Sequence, residues 1–403
     1  MISPSIIRSQ QQTFLRLWQS VLPHVRTDRA LPARIQVALR RRDFGSRDRR
    51  LYRELIYTAV RHLPWMEELA GRNEAELFRA LAWLSAEMPA THEFRSTLIA
   101  DWPDCPPNVA GRSQFLGVSR EFLPEWFRSH CPSVFVPPNL DVLLTRPPLW
   151  IRIQTTDSTA IRAEFGERGW PMRPAASLPT AVEILAEADV TSAVTYQEGG
   201  FEIQDLGSQL ILAGAPIEPG SCWLDACAGA GGKSLQLATL VGPQGRVDAH
   251  DVRAEALAEL RVRAQRGTFK NIHILERFPD QETYDGVLVD APCSGSGTWR
   301  RAPHLKWCTT PGDIAVQAIR QRQLLEQCHR TIRPGGMLIY ATCSLSRVEN
   351  QDVVNSFLID HPDFDIAPPC PAFGCPQNRE GLIILPAVHN TDGYFVSMLK
   401  RLR

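Results

Sequence analysis

The chain has 403 residues, too many for one ordinary domain, and 44% of them are hydrophobic, which excludes a disordered chain. No apolar run approaches the ~18 residues a membrane span requires, and the N-terminus shows no apolar signal segment. A soluble, cytoplasmic, monomeric protein without a membrane partner is therefore expected. The 44 basic residues balance 44 acidic ones, so bulk charge announces no nucleic-acid partner.

The distribution of charge says more than its sum. Residues 1–60 carry 12 arginines against 4 acids, most densely along Arg40-Arg41-Arg42-Asp43-Phe44-Gly45-Ser46-Arg47-Asp48-Arg49-Arg50. An arginine-rich face suits phosphate contacts. A solvated helical face with local ion pairs accounts for the charge equally well. Only Lys233, Lys270, Lys306 and Lys400 are lysines.

Apolar residues at helical spacing predict helices over 13–22, 31–42, 47–63 and 74–86. A proline-rich stretch at 101–107 breaks the pattern. A short helix is expected over 119–130, then a linker at 132–138. A strand at 149–153, a helix at 160–168 and alternation at 182–185 describe a small α+β module.

From Gln204 strands and helices alternate. Strands are predicted at 222–226, 245–250, 271–275, 284–290 and 337–342. Helices are predicted from 233, over 254–266, over 314–332 and over 350–358. Two last apolar runs, 382–385 and 394–399, fit a closing antiparallel pair. Alternating β and α units imply a mainly parallel, doubly wound sheet, whose ligands sit beyond the carboxyl ends of the strands. The expected domains are 1–138, 139–200 and 201–403.

The first strand of that sheet runs into Asp225-Ala226-Cys227-Ala228-Gly229-Ala230-Gly231-Gly232-Lys233. Its glycines permit a tight turn and close approach of a ligand to the backbone. Gly232-Lys233-Ser234 mimics the end of a P-loop, but the glycine that motif needs five positions earlier is Cys227. Asp251 ends the next strand, where a carboxylate accepts hydrogen bonds from ribose hydroxyls. It also precedes a helix, where aspartate is a good cap. Arg333-Pro334-Gly335-Gly336 precedes the fifth strand. Together these features favour S-adenosylmethionine over a nicotinamide nucleotide.

Ten cysteines form no CxxC pair and no metal-ligand spacing, so no metal is expected, and most read as small buried hydrophobes. Two stand apart. Cys293 follows the fourth strand in Asp290-Ala291-Pro292-Cys293, and Cys343 ends the fifth in Thr342-Cys343-Ser344. If those strands are neighbours, both thiols emerge at one edge. Two thiols beside the carboxylate of Asp290 suit covalent catalysis on a ring such as cytosine, whose C5 is a poor nucleophile until a thiolate adds at C6. Spacing leaves open which cysteine attacks.

At these residues the chain resembles the Nop/Sun (RsmB-like) family of RNA 5-methylcytosine methyltransferases. Asp290 to Cys293, Thr342 to Ser344, Glu349-Asn350, Gln204-Asp205 and Asp392-Gly393-Tyr394-Phe395 carry the resemblance, which covers nearly the whole chain. It implies a class I (Rossmann-like) methyltransferase domain, preceded by an all-α NusB-like domain and a small RNA-recognition-like module. It implies that Cys343 attacks, that Cys293 promotes product release, and that Asp290 takes part in both cofactor binding and catalysis. Cys227, Ala228, Gly229, Ala230, Gly231, Gly232, Lys233 and Asp251 would line the S-adenosylmethionine site. Arg300 to Trp307 resembles the family's basic loop near the target base, there to hold phosphates. Two departures stand out: Gly229-Ala230 replaces the frequent Ala-Pro, and the third strand lacks its usual acid, for which Glu276 is the expected substitute. The helical N-terminus points to small-subunit rRNA as the RNA partner. A catalytically inactive RNA-binding assembly factor and the same chemistry on tRNA are the alternatives.

Overall fold

A computed structural model describes residues 3–40, 44–118, 121–280, 284–369 and 371–402. The chain divides into two compact units, one of residues 1–146 with 298–311, the other of 147–297 with 312–403.

The first unit is helical: α1 (Pro4–Val21), α2 (Leu31–Leu39), α3 (Ser46–Arg61), α4 (Leu63–Ala70), α5 (Glu74–Leu84), α6 (His92–Leu98), α7 (Val109–Leu116) and α8 (Asn139–Leu143). Local chemistry sets the boundaries. Ser3 caps α1 through its side chain with Pro4 in the first turn, and Asn73 caps α5. Along α3, Leu51, Leu55 and Ala59 recur every four residues and are buried, while Arg47, Arg50 and Arg53 stay exposed. Arg41, Arg42 and Asp43 of the basic stretch lie outside the described residues, as do Ser119 and Arg120 of the helix expected over 119–130. The rest of that segment forms only a 3₁₀ turn at Glu125–Ser129.

The second unit opens with β1 (Leu149–Ile153), α9 (Thr159–Glu167), β2 (Met172–Pro174), β3 (Ala181–Ile184), α10 (Val194–Gln197) and β4 (Phe201–Ile203). Their antiparallel sheet has the order β2-β3-β1-β4. The boundary expected at 200 therefore falls just before a strand of this module. Glu202 of β4 is buried and takes Arg263 and Arg266 of the following domain, which ties the two sheets' elements together.

Next come α11 (Leu206–Ala213), β5 (Cys222–Asp225), α12 (Gly232–Val241), β6 (Arg246–Ala249), α13 (Ala254–Arg266), β7 (Ile272–Ile274) and β8 (Tyr284–Asp290). The chain then enters the helical unit with 298–311, including α14 (Leu305–Cys308), and leaves it to form α15 (Pro311–Cys328). The remaining elements are β9 (Ile332–Thr342), α16 (Gln351–Asp360), β10 (Phe364–Ile366), β11 (Leu382–Ile384), α17 (Pro386–His389) and β12 (Tyr394–Arg401). The helix predicted to reach 332 stops at Cys328, because Ile332 already belongs to β9.

The large sheet has the order β10-β12-β9-β8-β5-β6-β7, with β11 also on β12. β5, β6, β7, β8 and β9 are parallel, and β12 runs antiparallel to β9. After β7 the chain returns to the other side of β5, so the topological switch lies between β5 and β8. A crevice opens beyond the carboxyl ends of strands at such a point. Among the described residues no helix is long and apolar enough to cross a membrane.

Candidate functional site

A cavity of 760 Å³ lies at that switch, lined by Asp225, Cys227 to Ala230, Gly232, Lys233, Asp251 and Asp290 among others. Its size suits a nucleoside-sized ligand. Gly231 sits behind the turn: its φ is +88°, and a Cβ there would meet Leu260 Cδ1 of α13 at 2.1 Å. This glycine lets α13 pack close, and Gly229 N–H is left to donate to Asp251 Oδ2 at 2.8 Å.

The acids differ in state. Asp225 is buried and accepts from Ser234 Oγ at 2.7 Å, while its Oδ1 has no partner. Burial pushes its carboxyl up to about 7. An unpartnered buried oxygen on the cavity wall fits a polar ligand that completes it. Asp251 is held below the usual carboxylate range: its hydrogen bonds to Arg253 and Gly229 outweigh burial. Arg253 grips both its oxygens, at 3.0 and 2.9 Å. The expected ribose carboxylate thus lines the cavity, with the largely exposed Arg253 paired to it. Asp290 pairs with Lys233 Nζ at 2.7 Å.

One expected residue is misplaced. Glu276 is exposed just past β7 and is not among the residues lining the cavity; Phe278 is. The shortness of β7 leaves Glu276 turned out to water, and an apolar ring takes the wall instead. Arg320, Leu324 and Gln327 of α15 also reach the cavity. Their spacing marks one helix face, a signal present in the sequence but not separable there from an ordinary amphipathic helix.

The two cysteines meet. β8 and β9 pair in parallel with Asp290 opposite Ala341, and the turns that follow run together. Gly297 N donates to Cys343 O at 2.9 Å, and Gly393 N to Gly297 O at 2.8 Å. A Cβ on Gly297 would lie 2.0 Å from Gly393 O, so only glycine allows this approach. Cys293 Sγ comes to 3.3 Å from Cys343 Sγ. The hydrogen bond with Cys343 and then burial push the Cys293 thiol well up. Cys227, deeper in the cavity wall, is also pushed well up, by burial.

The basic loop is elsewhere. Arg300, His304 and Lys306 are buried within the helical unit. Arg300 donates to Thr145 Oγ1 and Arg146 O, and Lys306 Nζ to Arg61 O at 2.9 Å. These side chains serve the fold of that unit and do not offer free cations for phosphates.

A mainly parallel sheet with this strand order, a glycine turn after its first strand, and acids ending its second and fourth defines a class I methyltransferase-type domain. Residues 212–400 match the family described as 16S rRNA methyltransferase RsmB/F. A ribosomal RNA small subunit methyltransferase B from Vibrio cholerae is 33% identical over 267 residues, covering 64% of this chain and 59% of that relative. The chain thus spans less than two thirds of the length of the curated relatives it matches. Among solved structures, the protein PH0851 covers 99% of both chains with TM-score 0.73 and 21% identity. NSun6 from Pyrococcus horikoshii, crystallised with SFG, covers 70% of this chain and 98% of its own, with TM-score 0.62 and 18% identity. These two likenesses establish the fold.

Proposed function

We propose that the chain is an S-adenosylmethionine-dependent enzyme that methylates C5 of a cytosine in RNA, and that the RNA is small-subunit rRNA. The observation that carries this reading is the pair of thiols 3.3 Å apart at the ends of adjacent strands, beside Asp290 and the switch-point cavity. The cavity's acids and glycine turn fit the cofactor, and SFG, the ligand of NSun6, is an S-adenosylmethionine analogue. The match of residues 212–400 to that family and the names of the relatives support the choice of rRNA.

The cofactor supplies an electrophilic methyl group. Asp251, Gly229 and Lys233 would hold it, once Arg253 has released the Asp251 carboxylate. Cys343, as thiolate, adds to C6 of the base, and the electron pair moves toward C5 and the N3 edge. Asp290, held in place by Lys233, faces that edge and stabilises the charge that develops there. After transfer the C5 proton passes to water and the C6–S electron pair returns to Cys343, which is expelled as thiolate; Cys293 assists that release. The base must be unstacked or single-stranded for C5 and C6 to reach both groups. Exposed arginines on α1, α2 and α3 are the candidate phosphate contacts.

The test is methyl transfer from labelled S-adenosylmethionine to unmodified small-subunit rRNA and to tRNA, with bisulfite mapping of the product. Label at one rRNA cytosine is expected. Label on tRNA alone would move the substrate, and no label on any RNA would leave the RNA-binding assembly factor as the better reading.

A further inference from the structure

Behind the two cysteines lies a buried acid that the mechanism above does not use. Glu349 is fully buried. Ser294, the neighbour of Cys293, donates its backbone N–H to Glu349 Oε1 at 2.7 Å and its hydroxyl to Oε2 at 2.5 Å. Ser344, the neighbour of Cys343, donates its hydroxyl to Oε2 at 2.6 Å. Gln321 of α15, also fully buried, donates to Glu349 Oε1 at 3.2 Å and to Pro292 O at 2.9 Å. One carboxylate therefore buckles the two cysteine-bearing turns together and ties both to a helix.

Its partners among the described residues are hydroxyl, amide and backbone N–H groups, none of them a cation. A buried carboxylate without a countercharge is expensive, and packing alone would be served by a neutral residue of the same shape. The groups facing Cys293 are Cys343, Glu349 and the backbone N–H of Gly295. Tyr340 stands behind them, its hydroxyl donated to Glu349 O at 2.5 Å. Of these, only the Gly295 N–H favours a thiolate at Cys293; Glu349 and Cys343 oppose it. Asp290, further back along the strand, is paired with Lys233.

We propose that Glu349 is a positioning residue for the thiol pair: its carboxylate takes donors from both cysteine-bearing turns and so holds Cys293 and Cys343 side by side. This rests on the cysteine-pair reading above.

The experiment follows the alkylation of each cysteine by iodoacetamide against pH, by mass spectrometry, on the full chain without RNA or cofactor. Glu349→Gln keeps the shape but replaces one acceptor oxygen by an amide, which loosens the two turns, so the alkylation rates of Cys293 and Cys343 are expected to change at least threefold relative to Cys105 in the helical unit. A folded Glu349→Gln protein with both rates unchanged overturns the role of the carboxylate. Ser344→Ala keeps the carboxylate and frees one turn, and is the second variant should Glu349→Gln not fold. It is expected to weaken binding of phenylarsine oxide, which needs two adjacent thiols, by at least threefold. Unchanged arsenical binding in Ser344→Ala overturns the positioning role. Neither readout involves methyl transfer, so a failure of the proposed activity on RNA would show separately.

Discussion

Cys293 and Cys343 are 50 residues apart in the chain, and their sulfur atoms are 3.3 Å apart in the fold. That separation is too long for a disulfide and short enough for one thiol to donate to the other. Parallel pairing of β8 with β9 produces it, because both strands end on the same edge, Cys343 directly after its strand and Cys293 three residues beyond its own.

Substituting the two cysteines separates their roles. Cys343→Ala is expected to abolish turnover and any covalent protein–RNA adduct. Cys293→Ala is expected to retain attack and accumulate an adduct that survives denaturing electrophoresis. An adduct in Cys343→Ala, and none in Cys293→Ala, would reverse the assignment.

Arg253 holds both oxygens of Asp251, the carboxylate proposed to take the ribose hydroxyls. Arg253→Ala is expected to tighten binding of S-adenosylhomocysteine by roughly 2- to 5-fold, the worth of one exposed ion pair. Asp251→Ala is expected to weaken it by tenfold or more. Calorimetric titration distinguishes the two, and weaker binding in Arg253→Ala would show that the guanidinium holds the ligand.

Lys306 gives the helical unit a pH dependence. Burial, with Arg61 and Arg26 nearby, lowers its ammonium to about 7 in the folded state, against an unfolded value near ~10.4. Between those values the unfolded chain binds more protons, so stability rises with pH, by up to about 1.4 kcal/mol per unit. Below pH 7 both states carry the charge and this gain is absent. Lys306→Met is expected to flatten the rise between pH 7 and pH 9 in thermal melts. A variant as pH-dependent as the wild type would place the titration elsewhere.

Trp299 anchors the inserted segment in the same unit, 2% exposed and 4.6 Å from the Phe127 ring. Trp299→Ala is expected to cost about 3–5 kcal/mol by opening a cavity. Denaturant unfolding followed by helical circular dichroism would read the loss. A change below about 1 kcal/mol would mean that the segment is not part of the unit's core.

Much of the site was legible before any coordinates. The glycine turn, Asp251, Asp290 and the two cysteines all follow strand ends, and strands of period two announce themselves locally. Three features were not legible. Glu276 occupies the expected sequence position but points to water, and Phe278 lines the wall. Arg253 sits two residues beyond Asp251 and looks like any surface arginine, yet it occupies the Asp251 carboxylate. Arg300 to Trp307 reads as a basic loop, yet Arg300 and Lys306 are buried, with only Arg301 exposed, in a helical unit whose main chain segment ended more than 150 residues earlier.

The sequence by itself determined the order of the elements, the parallel sheet and the residues that stand at its carboxyl edge, because periodicity and turn chemistry act over a few neighbouring residues. Only the tertiary structure decided which of two strand ends touch, that the segment 298–311 belongs to the helical unit, and that Glu349 joins the two cysteine turns. Those outcomes depend on contacts between residues far apart in the chain, where a charge can be buried if distant groups satisfy it, and no local pattern records whether they do.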